Sequence, residues 1–217
     1  MKMPHAFRLA AGLILLPPAL RAAESPRWLD PADPSLASAV ATGKATAETL
    51  VRTLTAEMGA ALGRGGPAAA VEFCQISAQG LTAGVAAGGA PTVIGVKRTS
   101  LKVRNPANTP DAAESAALER VRASIARGEP PPELLLQRVE PPGAPAEIRF
   151  YRPLKVAATC LACHGDPAAF PAELRETLAR RYPRDAATGY QLDGWRGLLR
   201  VSLAAPASTS VQAPGPR

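Results

Sequence analysis

The stretch AEIRFYRPLKVAATCLACHGD, residues 146–166, joins a segment of alternating apolar side chains to the motif Cys-x-x-Cys-His. The segment ELLLQRV, residues 133–139, precedes it across the turn EPPGAP. Two such segments joined by a Pro- and Gly-rich turn predict a β-hairpin. We therefore expect the motif, Cys160 to His164, to follow directly from the second strand of this hairpin.

Two long helices are predicted upstream of the hairpin. Apolar residues recur at helical spacing from Thr42 to Leu62, and the glycines between 63 and 66 end that pattern. Pro67 suits the first position of a second helix. The apolar stripe of this second helix carries Cys74, which is thus expected to point inward.

The remaining segments complete an α+β fold. Residues 92–103 are short and β-branched and predict one or two strands, and residues 194–204 predict a closing strand. A helix ending at Ala126 lies between the first strand and the hairpin, with Thr109 or Asp111 as its N-cap. A further short helix follows the motif. The order of elements predicts an α+β domain with a central antiparallel sheet.

The N-terminus has the pattern of a secretory signal. Basic residues precede an apolar run, Leu9–Leu20, and small residues follow it. The run contains two prolines and is shorter than the ~20 residues of a spanning helix, so cleavage is favoured over a membrane anchor. We expect a periplasmic protein without stable membrane insertion. The predicted divisions are a signal peptide, 1–23; an irregular lead-in, 24–40; one domain, 41–204; and a disordered tail, 205–217.

The charge of the chain argues against a nucleic-acid partner. The formal net charge is +7, of which three positive charges lie in the predicted signal at Lys2, Arg8 and Arg21. The other cations form no stripe interleaved with aromatic residues. Anionic groups of a cofactor, or an acidic partner protein, suit this balance.

The motif predicts a covalently attached haem. Two thiols three residues apart can add to the two vinyl groups of the porphyrin, and the next residue, His164, then faces the iron. Three alternatives compete: a thioredoxin-type redox pair, a disulfide between Cys160 and Cys163, and a zinc site made by Cys74, Cys160, Cys163 and His164. The motif and the predicted export together favour haem c.

Counting residues limits the second ligand of the iron. The chain has two histidines, and His5 lies in the predicted signal, which leaves only His164. The other candidates are Met58, Cys74, a lysine such as Lys97 or Lys102, water, or no second ligand. An exported thiol is exposed to oxidation unless it is bonded or buried, and this favours Cys74 over Met58.

Four segments in order resemble a known family. They are VEFCQISA (71–78), KRTSLKVRNPANTPDAAE (97–114), FYRPLKVAATCLACHG (150–165) and YPRDAATGYQLDGWRGLLRVS (182–202). Together they are similar to exported single-haem c-type proteins with a PAS-like fold, which also form the sensory region of some bacterial signalling proteins. The resemblance covers about residues 40–203. It implies a PAS-like domain whose haem iron is held by His164 and Cys74.

The basic cluster around Arg98, Lys102 and Arg104 is expected to pair with haem propionates. Arginine makes bidentate bonds to carboxylates, so Arg98 is the first candidate and Arg104 the second.

A thiolate ligand stabilises ferric iron and predicts a low reduction potential. We therefore expect a low-potential one-electron carrier that works with an unknown redox partner protein. The alternative is a redox or gas sensor, responding to carbon monoxide or nitric oxide through a partner. A peroxidase is not expected, because its distal acid–base residue is usually histidine.

Overall fold

The computed structural model describes residues 27–206, which form a five-stranded sheet flanked by helices on both faces. All strand pairs are antiparallel, in the order β1-β3-β4-β5-β2. The strands are β1 (Arg27–Leu29), β2 (Val93–Thr99), β3 (Leu135–Val139), β4 (Glu147–Lys155) and β5 (Trp195–Ala204). The helices are α1 (Ala37–Ile76), α2 (Ala78–Ala87), α3 (Ala112–Ala126), α4 (Leu161–His164) and α5 (Ala172–Arg181). The fold class α+β with an antiparallel sheet is confirmed.

The alternation along β4 divides the core between the two faces of the sheet. Ile148 and Phe150 pack with Leu50 of α1 on one face. Tyr151 packs with Leu118 of α3 on the other face. Because side chains alternate along a strand, neighbouring residues of one strand serve opposite sides of the molecule.

The long helix α1 is two helices joined by a break. Gly65 and Gly66 have non-helical dihedral angles, and Gly66 has φ of 67°. Pro67 follows at once, where its missing N–H costs little. The predicted glycine break and the proline start are therefore confirmed. A second interruption at Ser77 separates α1 from α2, whereas the sequence pattern ran on without a break.

The lead-in predicted as irregular contains regular structure. Residues 27–29 form β1, which pairs with β3, and α1 already begins at Ala37 rather than after residue 40. The predicted signal peptide, 1–23, lies outside the described residues, as does the tail from 207 onward. No helix within residues 27–206 combines the length and apolarity that crossing a bilayer requires.

The other predicted elements are confirmed. The hairpin of β3 and β4 leads into the motif, and β5 lies between β4 and β2. Asp111, rather than Thr109, caps α3. Its side chain accepts from the backbone N–H of Glu114, and the carboxylate of Glu114 accepts from the backbone N–H of Asp111.

Candidate cofactor site

A cavity of about 340 Å³ opens between α1, the ends of β2 and β4, and the motif turn. Its walls are largely apolar. The apolar side chains that line it include Val51, Leu54, Met58, Leu62, Val71, Phe73 and Leu154. Its titratable side chains are cysteines, histidine, tyrosine, lysine and arginine, with no carboxylate among them. An apolar cavity with a few convergent polar groups is the usual form of a cofactor site.

The chain brings the motif to this cavity in a tight turn after β4. A 3-10 turn, Ala158–Cys160, is followed by the single helical turn α4, so both motif cysteines and His164 line the cavity. Gly165 then leaves α4, and a β-carbon there would lie 2.7 Å from the carbonyl oxygen of Leu161. Glycine at this position therefore lets the chain turn away from the site.

His164 is held in one orientation and one tautomer. Its Nδ1 donates to the backbone carbonyl of Ala187 at 2.6 Å. Burial lowers the pKa of His164 well below its usual value, and the positive charge of Arg104 lowers the pKa further. The ring is thus neutral with its proton on Nδ1, and the lone pair of Nε2 remains for a ligand role.

Cys74 lines the cavity from a different wall, the second half of α1. Burial raises the pKa of its thiol, while the charges of Arg98 and Arg104 act in the opposite direction. One turn earlier, Val71 packs in a cluster against which Cys163 also lies. Burial raises the pKa of Cys163 to about 11. The helix that carries Cys74 is therefore packed directly against the motif.

Arg98 extends into the cavity from β2. Arg98 lies opposite Leu199 in the sheet register, and Leu199 packs in the cluster that contains Leu50 of α1. The side chain of Arg98 therefore lies on the face of the sheet that α1 covers. Burial lowers the pKa of its guanidinium, and no carboxylate within residues 27–206 pairs with it. A partly buried cation without a carboxylate partner is costly, so this position suits an anionic group of a bound molecule.

Arg104 also lines the cavity, but its guanidinium is engaged within the protein. It forms an ion pair with Asp185 at 2.9 Å and donates to the carbonyl oxygens of Cys163 at 2.6 Å and Ala187 at 3.3 Å. The sequence placed Arg104 beside a propionate, whereas these bonds hold the motif turn. The propionate prediction is accordingly strongest at Arg98.

Sequence reasoning missed Arg196 and Tyr190. Arg196 lines the cavity, donates to Ser100 at 3.0 Å and lies over the ring of Tyr190 at 4.7 Å. The ring of Tyr190 in turn meets the ring of His164 edge to face, with centroids 6.3 Å apart. Both residues fall in the segment 182–202 that carried the family resemblance, which was the available signal.

The alternative second ligands differ in their availability. Lys97 is bonded to Glu114 and to the carbonyl of Thr109, each at 2.7 Å, and is directed away from the cavity. Lys102 also lines the cavity, but its ammonium group donates to the carbonyl of Thr188 at 2.9 Å. Met58 does line the cavity and stays the competitor of Cys74.

The alternative chemistries of the motif find less support. Cys160 and Cys163 are both free thiols in the structure. They lie in a 3-10 turn and a four-residue helix, not at the start of a long helix as in a thioredoxin-type pair. Among residues 27–206 no group of three or more His, Cys, Asp or Glu side chains is arranged to hold a metal ion.

Comparison with known proteins places the chain in a family. The solved structure of the cyanobacterial heme-protein Tll0287 is 26% identical, with a TM-score of 0.41; the match covers 52% of this chain and 62% of that chain. The chain thus spans less than two thirds of that neighbour. No curated protein matches. The family model described as Tll0287-like matches residues 32–204, most of the chain. The chain belongs to the Tll0287-like family.

Proposed function

We propose that this protein is an exported c-type cytochrome that carries one electron at low potential. One haem, joined to Cys160 and Cys163, would be held at its iron by His164 and Cys74. When bound, the haem supplies a one-electron couple at its iron. The support is the family membership, the description of Tll0287 as a heme-protein, and the fit of this chain's own residues to the group.

The observation that carries the proposal is the state of His164. Its Nδ1 donates its proton to the Ala187 carbonyl, so the lone pair of Nε2 is available to bind a metal. Cys74 lines the same cavity. Histidines that bind metals commonly donate their other ring N–H to a carbonyl in this way. The two motif thiols line the same cavity, as covalent attachment requires.

The other lining residues serve binding and insulation. Arg98 would pair with a propionate, which supplies the carboxylate partner that it lacks among residues 27–206. The apolar side chains from α1 exclude water and lower the local dielectric constant. A thiolate from Cys74 in such a cavity favours ferric iron and so a low potential.

The finer parts of the proposal concern fold, location and partners. A central antiparallel sheet with helices on its faces is compatible with the PAS-like domain that the resemblance implies. We propose a periplasmic protein that exchanges electrons with a partner protein and does not act on nucleic acid. We propose no peroxidase activity, because the lining residues within 27–206 include neither a second histidine nor a carboxylate.

Extraction with acidified organic solvent tests the attachment. We expect the haem of the exported protein to stay with the polypeptide, because thioether bonds survive denaturation. A variant with Cys160→Ala and Cys163→Ala should release any haem that it binds. Release from the unmodified protein would contradict covalent attachment. A redox titration of the same sample should then give a potential below that of His/Met cytochromes c.

A second candidate function, redox or gas sensing, is favoured by the setting of Cys74. The residue lies on a helical segment with interruptions at both ends, at Gly65–Gly66 and at Ser77. The glycine break can let this segment shift and move Cys74 relative to the cavity without unfolding the first part of α1. At the other end, backbone hydrogen bonds continue through Ser77. Rapid binding of carbon monoxide by the reduced protein would favour the sensor, and refusal would favour the carrier.

A further inference from the structure

A buried ion pair lies beneath the motif turn and has no role in the function proposed so far. Arg104, from the loop after β2, meets Asp185, from the loop between α5 and β5. Their side chains are only 9% and 10% exposed, and Nε and Nη2 of Arg104 lie 3.1 and 2.9 Å from Oδ2 of Asp185. A pair this buried is screened little by solvent and acts strongly on its neighbours.

The ion pair bonds to two peptide groups that contact the proximal histidine: the one that joins Cys163 to His164, and the one at Ala187. Nη2 of Arg104 donates to the carbonyl of Cys163, the residue directly before His164, at 2.6 Å. It also reaches the carbonyl of Ala187 at 3.3 Å, while Oδ1 of Asp185 accepts from the N–H of Ala187 at 2.8 Å. Ala187 is thus held on both sides by the two partners of one ion pair.

The carbonyl of Ala187 is also the acceptor for Nδ1 of His164, at 2.6 Å. A carbonyl that also accepts from a cationic donor forms a weaker hydrogen bond with the N–H of the histidine. The ring then has less imidazolate character and is a weaker electron donor at Nε2. The carboxylate of Asp185 offsets the charge of Arg104 and so works in the opposite direction.

From this arrangement we propose that Arg104 and Asp185 act as positioning residues, which fix the ring of His164 through Ala187 and set its donor strength toward a bound iron. The proposal rests on His164 being the proximal ligand, as in the proposed function. It is distinct from propionate binding, because both side chains are bonded within the protein.

The test is resonance Raman spectroscopy of the reduced holoprotein in a Cys74→Ala, Met58→Leu background, where His164 is the only protein ligand expected. We compare Arg104→Gln and Asp185→Asn. The iron–histidine stretching frequency should rise in Arg104→Gln and fall in Asp185→Asn, and the midpoint potentials should shift downward and upward respectively. A purely structural role would loosen the ring in both variants and move both frequencies the same way. Shifts of equal sign, or none, therefore overturn the proposal.

Lys155→Gln is the matched control for charge. Lys155 lines the same cavity, is exposed and does not bond to Ala187. Its loss should move the potential without moving the iron–histidine frequency. If the Arg104 variant behaves in the same way, the effect is a simple field effect and the proposal fails.

Two further outcomes keep the test decisive. Arg104→Lys keeps the charge but cannot reach the carboxylate and both carbonyls together, so a smaller shift in the direction of Arg104→Gln supports the proposal even if the Gln variant does not fold. If the parent Cys74→Ala, Met58→Leu protein contains haem but shows no iron–histidine band, both this proposal and the proximal assignment of His164 fail. A normal parent band that no variant moves overturns only the proposal.

Discussion

Replacement of Arg98 by Gln should move the pH dependence of the reduction potential to higher pH. The guanidinium lines the cavity and has no carboxylate partner among residues 27–206, so its charge is available to a propionate. A hydrogen bond to a charged group contributes about 1.5–3 kcal/mol, and 1.36 kcal/mol corresponds to about one pKa unit. A nearby cation favours the ionised carboxylate, so the propionate pKa should rise by about 1–2 units when the guanidinium is removed.

The assay is the midpoint potential of the holoprotein, measured from about pH 4 to pH 9, a span that covers carboxyl and histidine titration. The inflection should lie about 1–2 pH units higher in Arg98→Gln than in the unmodified protein, with both axial ligands retained in the absorption spectrum. Lys155→Gln, which removes an exposed cation of the same cavity, should shift the inflection much less, because solvent screens it. If the midpoint potential depends on pH in the same way in Arg98→Gln and in the unmodified protein, the pairing of Arg98 with a propionate is refuted.

Three further substitutions test the fold and the second ligand. Asp111→Ala should lower the free energy of unfolding by about 2–3 kcal/mol, measured by urea denaturation, because α3 loses its cap and Arg149 loses bonds of 2.7 and 2.8 Å. Gly197→Ala should cost about 2–4 kcal/mol in the same assay, since Gly197 has φ of 147° and a β-carbon would collide with the carbonyl of Thr99. Met58→Leu should leave the ferric absorption spectrum unchanged, because Met58 is proposed as a wall residue.

Matched controls separate these effects from general damage. Asp33→Ala removes the exposed cap of a short 3-10 turn and should cost less than Asp111→Ala. Gly59→Ala lies in α1 with open space around its α-carbon and should be neutral or stabilising by up to about 1 kcal/mol. Equal losses in Asp111→Ala and Asp33→Ala, or a stable Gly197→Ala, would contradict the structural argument. A changed spectrum in Met58→Leu would make Met58 the ligand.

The parts of the fold that depend on local signals were predictable. The alternation along β4 and the helical stripe of α1 are each readable within a dozen residues, and glycine and proline mark the break within α1. β1 was missed because Arg27–Leu29 is too short to show alternation and is stabilised by pairing with the distant strand β3. The interruption at Ser77 was missed because the apolar stripe continues through it.

The site was predictable only as far as chemistry is encoded in neighbouring residues. The motif predicts Cys160, Cys163 and His164 by spacing. Counting histidines and thiols favoured Cys74 over Met58, and the family resemblance implied Cys74. The role of Arg104 depends on two loops that lie 81 residues apart in the chain and meet under the motif. No local pattern encodes such a meeting, so the sequence could not predict the bonds of Arg104 to Asp185 and the motif turn, and its pairing with a propionate stays a prediction.

The ferric absorption spectrum of the exported protein, compared with that of Cys74→Ala, tests the central claim most directly. The account predicts a low-spin ferric spectrum with a sulfur-to-iron charge-transfer band, because Cys74 and His164 line one cavity and the lining includes no second histidine. In Cys74→Ala this band should vanish, and the iron should become high-spin or bind Met58. A Cys74→Ala protein that keeps the unmodified ferric spectrum would contradict the ligand assignment.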